Sequence, residues 1–180
     1  MKVTSLADVE PRPRKVAVGT FDGVHLGHRE VIRGADTVLT FDPHPLAVIH
    51  PEALPKLLDS FPIKRDLIAG LGIEELVVIP FDSDFAGQSA EEFIDEVLIG
   101  KLGATQVSVG ENFRFGKKAK GDAAMLRSRP EFEARVLPLV EVEGEVVSSS
   151  HIRGLVTAGD VKSAAEFLGA PLMVEGEVVH

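Results

Sequence analysis

Short apolar runs alternate with segments of helical periodicity along most of this chain, the pattern of a parallel sheet joined by crossover helices. Strands are expected at 15–19, 37–41, 76–80, 106–110 and 135–139. Runs such as Val77-Val78-Ile79 and Val107-Ser108-Val109 are β-branched and bounded by turn residues. Ser89–Leu102 reads as a helix: Ser89 and Glu92 form a capping box, and Phe93, Ile94, Val97 and Leu98 share an apolar face. Pro62 opens a second helix that runs to about Leu71. Glu143-Gly144, within 141–147, predicts a hairpin with the preceding strand. Short helices are expected at 150–158 and 160–168, the latter capped by Asp160 and stopped by Gly169 and Pro171. Residues 173–179 read as a strand with nothing left to pair with. The fold expected is a doubly wound α/β domain with a mainly parallel five-stranded sheet.

Length and composition narrow the function. A chain of 180 residues fits one domain and buries a substantial core without staples. No apolar run approaches membrane-spanning length, and the start has no signal-peptide core. The net charge of −9 argues against a nucleic-acid partner. Cysteine is absent, which removes disulfides, thiolate metal sites and cysteine nucleophiles; a cytoplasmic location is the simplest reading. Tryptophan and tyrosine are also absent, so any ring-stacking partner must be one of the ten phenylalanines or a histidine.

The densest candidate chemistry is Val18-Gly19-Thr20-Phe21-Asp22-Gly23-Val24-His25-Leu26-Gly27-His28. It follows an apolar strand and leads into a helix. Its glycines allow a tight turn and close approach of a ligand, and His25 and His28 fall near each other on the first helical turn, where anions are favoured. The same histidines could be surface or satisfied core groups. A zincin helix is excluded by the spacing and by the missing glutamate. Asp22 is expected to hold the turn by side-chain-to-backbone bonds. Gly110–Gly116 with Lys117 and Lys118 is not a P-loop: five residues separate the glycines and no Ser or Thr follows the lysine. Ser148-Ser149-Ser150 with Arg153 reads either as a phosphate clamp at a helix start or as a plain N-cap with a surface arginine.

Four stretches, taken in order, resemble the FMN adenylyltransferase module of the bacterial bifunctional riboflavin kinase/FAD synthetase family, in the Rossmann-like nucleotidyltransferase superfamily. They are Gly19–His28, Thr40–Pro45, Gly110–Gly116 and Val147–Arg153, and the likeness covers roughly residues 14 to 179. The resemblance implies transfer of AMP from ATP to FMN, giving FAD and pyrophosphate. It implies His25, His28 and Arg153 as catalytic groups. It implies Gly19, Thr20, Phe21, Gly27, Asn112, Arg114, Ser148, Ser149 and Ser150 as ATP contacts, and Phe41, Asp42 and Pro43 as flavin contacts. Mg²⁺ is the expected ion, beside Asn112. It further implies a domain over 1–170, with 171–180 beginning a riboflavin kinase module whose remainder would lie in a longer parent chain; no kinase activity is expected of this chain itself.

Two departures from the family pattern stand out. Ser150-His151 replaces a usual Thr-Arg, which predicts reduced activity or an acid-shifted optimum if that arginine is catalytic. Only 29–36 separate His28 from the next strand, about two helical turns. These departures motivate an alternative, a flavin- or nucleotide-binding domain without turnover. The other competitor is another small-molecule adenylyl- or cytidylyltransferase that uses the same phosphate clamp.

Overall fold

Both faces of the sheet are covered, so its strands are buried on both sides and read as near-continuous apolar runs. The computed structural model describes residues 1–176. Six strands, all parallel, are ordered β1-β4-β3-β2-β5-β6. They are β1 (Lys2–Ser5), β2 (Arg14–Val18), β3 (Thr37–Asp42), β4 (Glu75–Pro80), β5 (Ala104–Gly110) and β6 (Glu133–Leu137). Alternation along the strands divides the core. Val16, Val18, Leu39, Phe41, Val77 and Ile79 face one layer, while Ala17, Val38 and Leu76 face the other.

The second layer holds α1 (Leu26–Ile32) and α3 (Phe61–Gly70), through Val31, Ile32 and Ile68. The first holds α5 (Ala90–Glu92), which runs directly into a π-helical stretch, Phe93–Lys101. The Ser89–Glu92 capping box forms as expected, and Phe93, Ile94, Val97 and Leu98 are all buried. The regular α-helix expected there gives way to wider turns, closed by Leu102 N–H donating to Val97 O at 2.9 Å. Around these lie α2 (Pro45–Ile49), α4 (Ser83–Ala86) and α6 (Ala123–Arg127). The last helices, α7 (Ser149–Thr157) and α8 (Val161–Leu168), pack together over Val147, Ile152, Ala164, Phe167 and Leu168. Asp160 and Gly169 cap α8 as expected.

Three expectations are corrected. The sheet has six strands rather than five, because β1 adds at the edge of β4. This four-residue strand is held partly by a polar contact, Thr4 Oγ1 donating to Glu75 at 2.9 Å. The hairpin around Glu143-Gly144 joins β7 (Glu141–Val142) to β8 (Glu145–Val146) and leaves β6 in the main sheet. Residues 171–176 form no strand, and the rest of the strand expected at 173–179 lies outside the described residues.

Candidate active site

The chain order reverses between β2 and β5, inside the sheet. Ligands of open α/β sheets bind outside the carboxyl ends of strands at such a point. A cavity of about 1150 Å³ opens there, above the roughly 300–1,000 Å³ of ordinary small-molecule sites.

One wall is built from the turn after β2. Gly23 adopts φ +86°, where a Cβ would meet Leu58 at 2.7 Å, and Phe21 and Val24 also have positive φ. Holding non-glycine residues there stores strain that surrounding contacts must offset. His25 is the N-cap of α1, and its Nδ1 accepts from His28 N–H at 3.2 Å. That bond fixes the tautomer: Nδ1 is the acceptor, so Nε2 carries the proton and remains a donor. The His28 ring stacks on His25, centroids 3.5 Å apart, and Phe21 meets His28 edge-on at 5.3 Å. Burial lowers the His25 pKa to about 4. His28 is lowered well below its ordinary value, by burial first and then by His25 and Lys64. Both imidazoles are therefore neutral near pH 7. Because α1 has only seven residues, its dipole is small and the ring N–H donors matter more.

The facing wall is the start of α7, and each serine there has a distinct partner. Ser148 is the N-cap, accepting from His151 N–H at 3.2 Å. Ser149 Oγ donates to Asp22 O at 2.9 Å, joining α7 to the turn after β2. Ser150 Oγ accepts from Arg153 at 3.2 Å, and Arg153 Nη1 donates to Asp22 Oδ2 at 2.6 Å. Asp22, buried, also accepts from Leu58 N–H at 2.8 Å. Its bonds thus reach across the fold, correcting the expectation that it holds its own turn.

The third wall is the loop after β5. Gly116, at φ +71°, packs on Ala90, where a Cβ would lie 2.6 Å from Ala90 N, and Lys117 N–H donates to Gln88 O at 2.8 Å. Asn112, Arg114, Lys117 and Lys118 line the cavity; Lys120 does not. Arg114 is exposed and donates to Phe113 O at 2.9 Å. The remaining wall is apolar. Phe41, Phe81, Phe85, Phe93, Phe115 and Phe113 form an unbroken chain of ring contacts with centroids 5.4–6.3 Å apart, and all six line the cavity.

The cavity therefore gathers Gly19, Thr20, Phe21, His25, Gly27, His28, Phe41, Asn112, Arg114, Ser148, Ser149, Ser150 and Arg153. Asp42 and Pro43 do not line it; His44, Pro45, Leu46, Val48 and Ile49 take that side. For Asp42 strand alternation is the reason, since Phe41 is buried and the next residue is exposed; Pro43 lies beyond the end of β3. His151 does not line the cavity either, and its ring packs on Phe167 at 4.6 Å. Sequence reasoning missed Phe81 and Phe85, which look like ordinary core residues. It also missed Asp59, whose Oδ2 accepts from Gly23 N–H at 3.0 Å.

These features define a Rossmann-like α/β domain of the nucleotidyltransferase type. The chain belongs to the FAD synthetase family, which it matches over residues 8–151. It is 33% identical over 178 residues to the bifunctional riboflavin kinase/FMN adenylyltransferase of Listeria monocytogenes and 35% identical over 178 residues to that of Bacillus subtilis. Each match covers 92% of this chain and 56% of the relative, so the chain spans little more than half their length. A putative enzyme of that name from Geobacillus thermodenitrificans is 35% identical over 168 residues, 87% of this chain and 90% of its own. A solved structure described as a macrolide-efflux protein from Streptococcus pneumoniae superposes with TM-score 0.84 at 30% identity, covering 96% of this chain and 61% of that one. Among the described residues, no helix is long and apolar enough to cross a membrane.

Proposed function

We propose that this domain transfers AMP from ATP to FMN, forming FAD and pyrophosphate. The observation that carries this reading is the meeting of two unlike walls in one cavity of about 1150 Å³. A histidine, serine and arginine wall suits a triphosphate; a phenylalanine wall suits a flat aromatic ring.

An oxygen of the FMN phosphate attacks the α-phosphorus of ATP. The new P–O bond forms as the bond to the β-phosphate oxygen breaks, and pyrophosphate leaves with that electron pair. The FMN phosphate is largely dianionic near neutral pH, so the step requires in-line placement and charge neutralisation rather than a protein nucleophile. In this reading the neutral His25 and His28 rings donate N–H to oxygens that gain charge, Arg153 holds the leaving phosphates, and Gly19, Thr20 and Gly27 let the chain approach closely. The Phe41–Phe81–Phe85 cluster, with Leu46 and Val48, receives the isoalloxazine.

Among the described residues no cluster of three or more His, Asp or Glu side chains could hold a metal ion. Asp22, the cavity's carboxylate, is engaged by Arg153 and Leu58. The donor set therefore suits Mg²⁺ carried in on ATP phosphates, with Asn112 as a neutral oxygen ligand. Bound so, Mg²⁺ would neutralise triphosphate charge. The partner suggested by the relatives' double name is a riboflavin kinase domain in a longer parent chain.

Two observations favour turnover over binding alone. His151, whose substitution motivated the non-catalytic reading, packs away from the cavity, and the shortened α1 still stacks His25 on His28. The test is flavin fluorescence with FMN, ATP and Mg²⁺. A time-dependent fall, reversed by cleaving the product to FMN and AMP and lost in His28→Ala, is expected. FMN binding without that fall would reject turnover.

A further inference from the structure

Two short stretches far apart in sequence exchange side-chain bonds behind the phosphate wall. Asp22 accepts from Leu58 N–H at 2.8 Å, and Asp59 accepts from Gly23 N–H at 3.0 Å. Asp59 is 6% exposed and Asp22 2%. Two buried carboxyl groups so close repel when both are ionised. The Asp22 carboxylate is engaged on both oxygens, Oδ1 by Leu58 N–H and Oδ2 by Arg153. Asp59 Oδ1, in contrast, is buried with no hydrogen-bond partner among the described residues. A bare carboxylate oxygen in that position would be costly, whereas a proton on it would let it donate to Asp22, which lies within hydrogen-bonding reach.

We propose that Asp59 is a positioning residue for the adenylyl-transfer site: with a proton on Oδ1 it donates to Asp22, and so holds the Asp22 carboxylate that aims Arg153 into the cavity. The inference rests on the function proposed above and assigns Asp59 no contact with substrate. Its surroundings agree. Burial and Asp22 push its pKa up to about 7, against the opposing pull of Lys64 on α3 and the Gly23 N–H. The other charged groups around it are Arg29 of α1, which lines the same small crevice, Arg153 on the far side of Asp22, and Glu175, bonded to the adjacent Ser60. When the proton is lost, Asp22 faces a second carboxylate and Arg153 is drawn back toward the pair. ATP then loses its arginine.

The test measures kcat/KM for ATP, and the Kd of Mg·ATP by calorimetry, at pH 6.5 and 8.5 in wild type and Asp59→Asn. Asparagine keeps an acceptor for Gly23 and a permanent donor for Asp22. In wild type, kcat/KM is expected to fall about 25-fold between the two pH values, as for loss of one essential proton with a pKa near 7. In Asp59→Asn the ratio between the two pH values should stay within twofold. Equal falls in both proteins would overturn the proposal, and so would a carbon-13 titration placing the Asp59 carboxyl pKa below 5. If wild type forms no FAD at either pH, the proposed function fails instead, and the same wild-type to variant comparison of Mg·ATP Kd decides the role of Asp59.

Discussion

The imidazoles of His25 and His28 lie face to face, their centroids 3.5 Å apart and their planes within 15°. A protonated pair in that stack would be unfavourable, and burial already holds the His25 pKa at about 4. The unfolded imidazole binds its proton near 6.5. Between these values the unfolded chain holds more protons, so the stability His25 contributes is complete above about pH 6.5 and is lost as pH falls toward 4. The shift corresponds to about 3 kcal/mol for His25 alone. Asp59 has the opposite sign. Its carboxyl is raised to about 7 from 3.8, so it favours the folded state at low pH and loses that contribution as pH rises through 7. Asp59→Asn is therefore expected to be more acid-labile relative to its own pH 7 value than wild type. Urea midpoints at pH 4.5 and 7 check this.

Removing the Arg153 partner should cost stability and activity together. Asp22→Ala leaves the Leu58 N–H without its acceptor and Arg153 without its anchor. A loss of about 2–4 kcal/mol in folding free energy is expected, with at least a tenfold drop in kcat/KM for ATP. Denaturation and kinetics on the same preparation separate the two effects.

The phenylalanine wall predicts a selective defect. Phe85 touches Phe41, Phe81 and Phe93 at centroid distances of 5.6–6.4 Å. Phe85→Ala is expected to raise the KM for FMN about tenfold, equivalent to about 1.4 kcal/mol of lost aromatic contact, while the KM for ATP stays within twofold. Equal rises in both would place the flavin elsewhere.

At the amino end of β4, Glu75 accepts from Thr4 at 2.9 Å, Arg12 at 3.1 Å and Arg14 at 3.0 and 3.1 Å. Arg14 is 2% exposed. Glu75→Gln strands that buried guanidinium, so a loss of about 3 kcal/mol is expected. The amino ends of the strands are remote from the cavity, and kcat/KM below the new melting temperature should change less than twofold. A comparable loss of activity would count against that separation.

How far the sequence could be read follows from where each residue's partners lie. Strands β2 to β6 were legible because each is a short apolar run flanked by turn residues, and the Asp160 and Ser89 caps because their partners are three residues away. Strand β1 was not, because Lys2–Ser5 is too short to show a period and Val3 is exposed. The histidine turn, the Asn112 loop and the Ser148–Arg153 segment carried local motifs. Asp22 and Asp59 acquire their roles from residues 36 positions away, and Phe81 and Phe85 from rings brought together by the fold. No local pattern encodes such pairs. The flavin-side assignment took Phe41, Asp42 and Pro43 as a block, whereas adjacent residues of β3 face opposite ways and only Phe41 lines the cavity.

The pairing of β2 with β5 joins residues about 90 positions apart inside the sheet. A chain emerging from a ribosome would present the histidine turn early, yet its facing wall arrives only with Ser148 to Arg153. Under the proposed function, the two walls meet only once residues on both sides of that pairing are in place, so the site is a product of the finished sheet rather than of either segment.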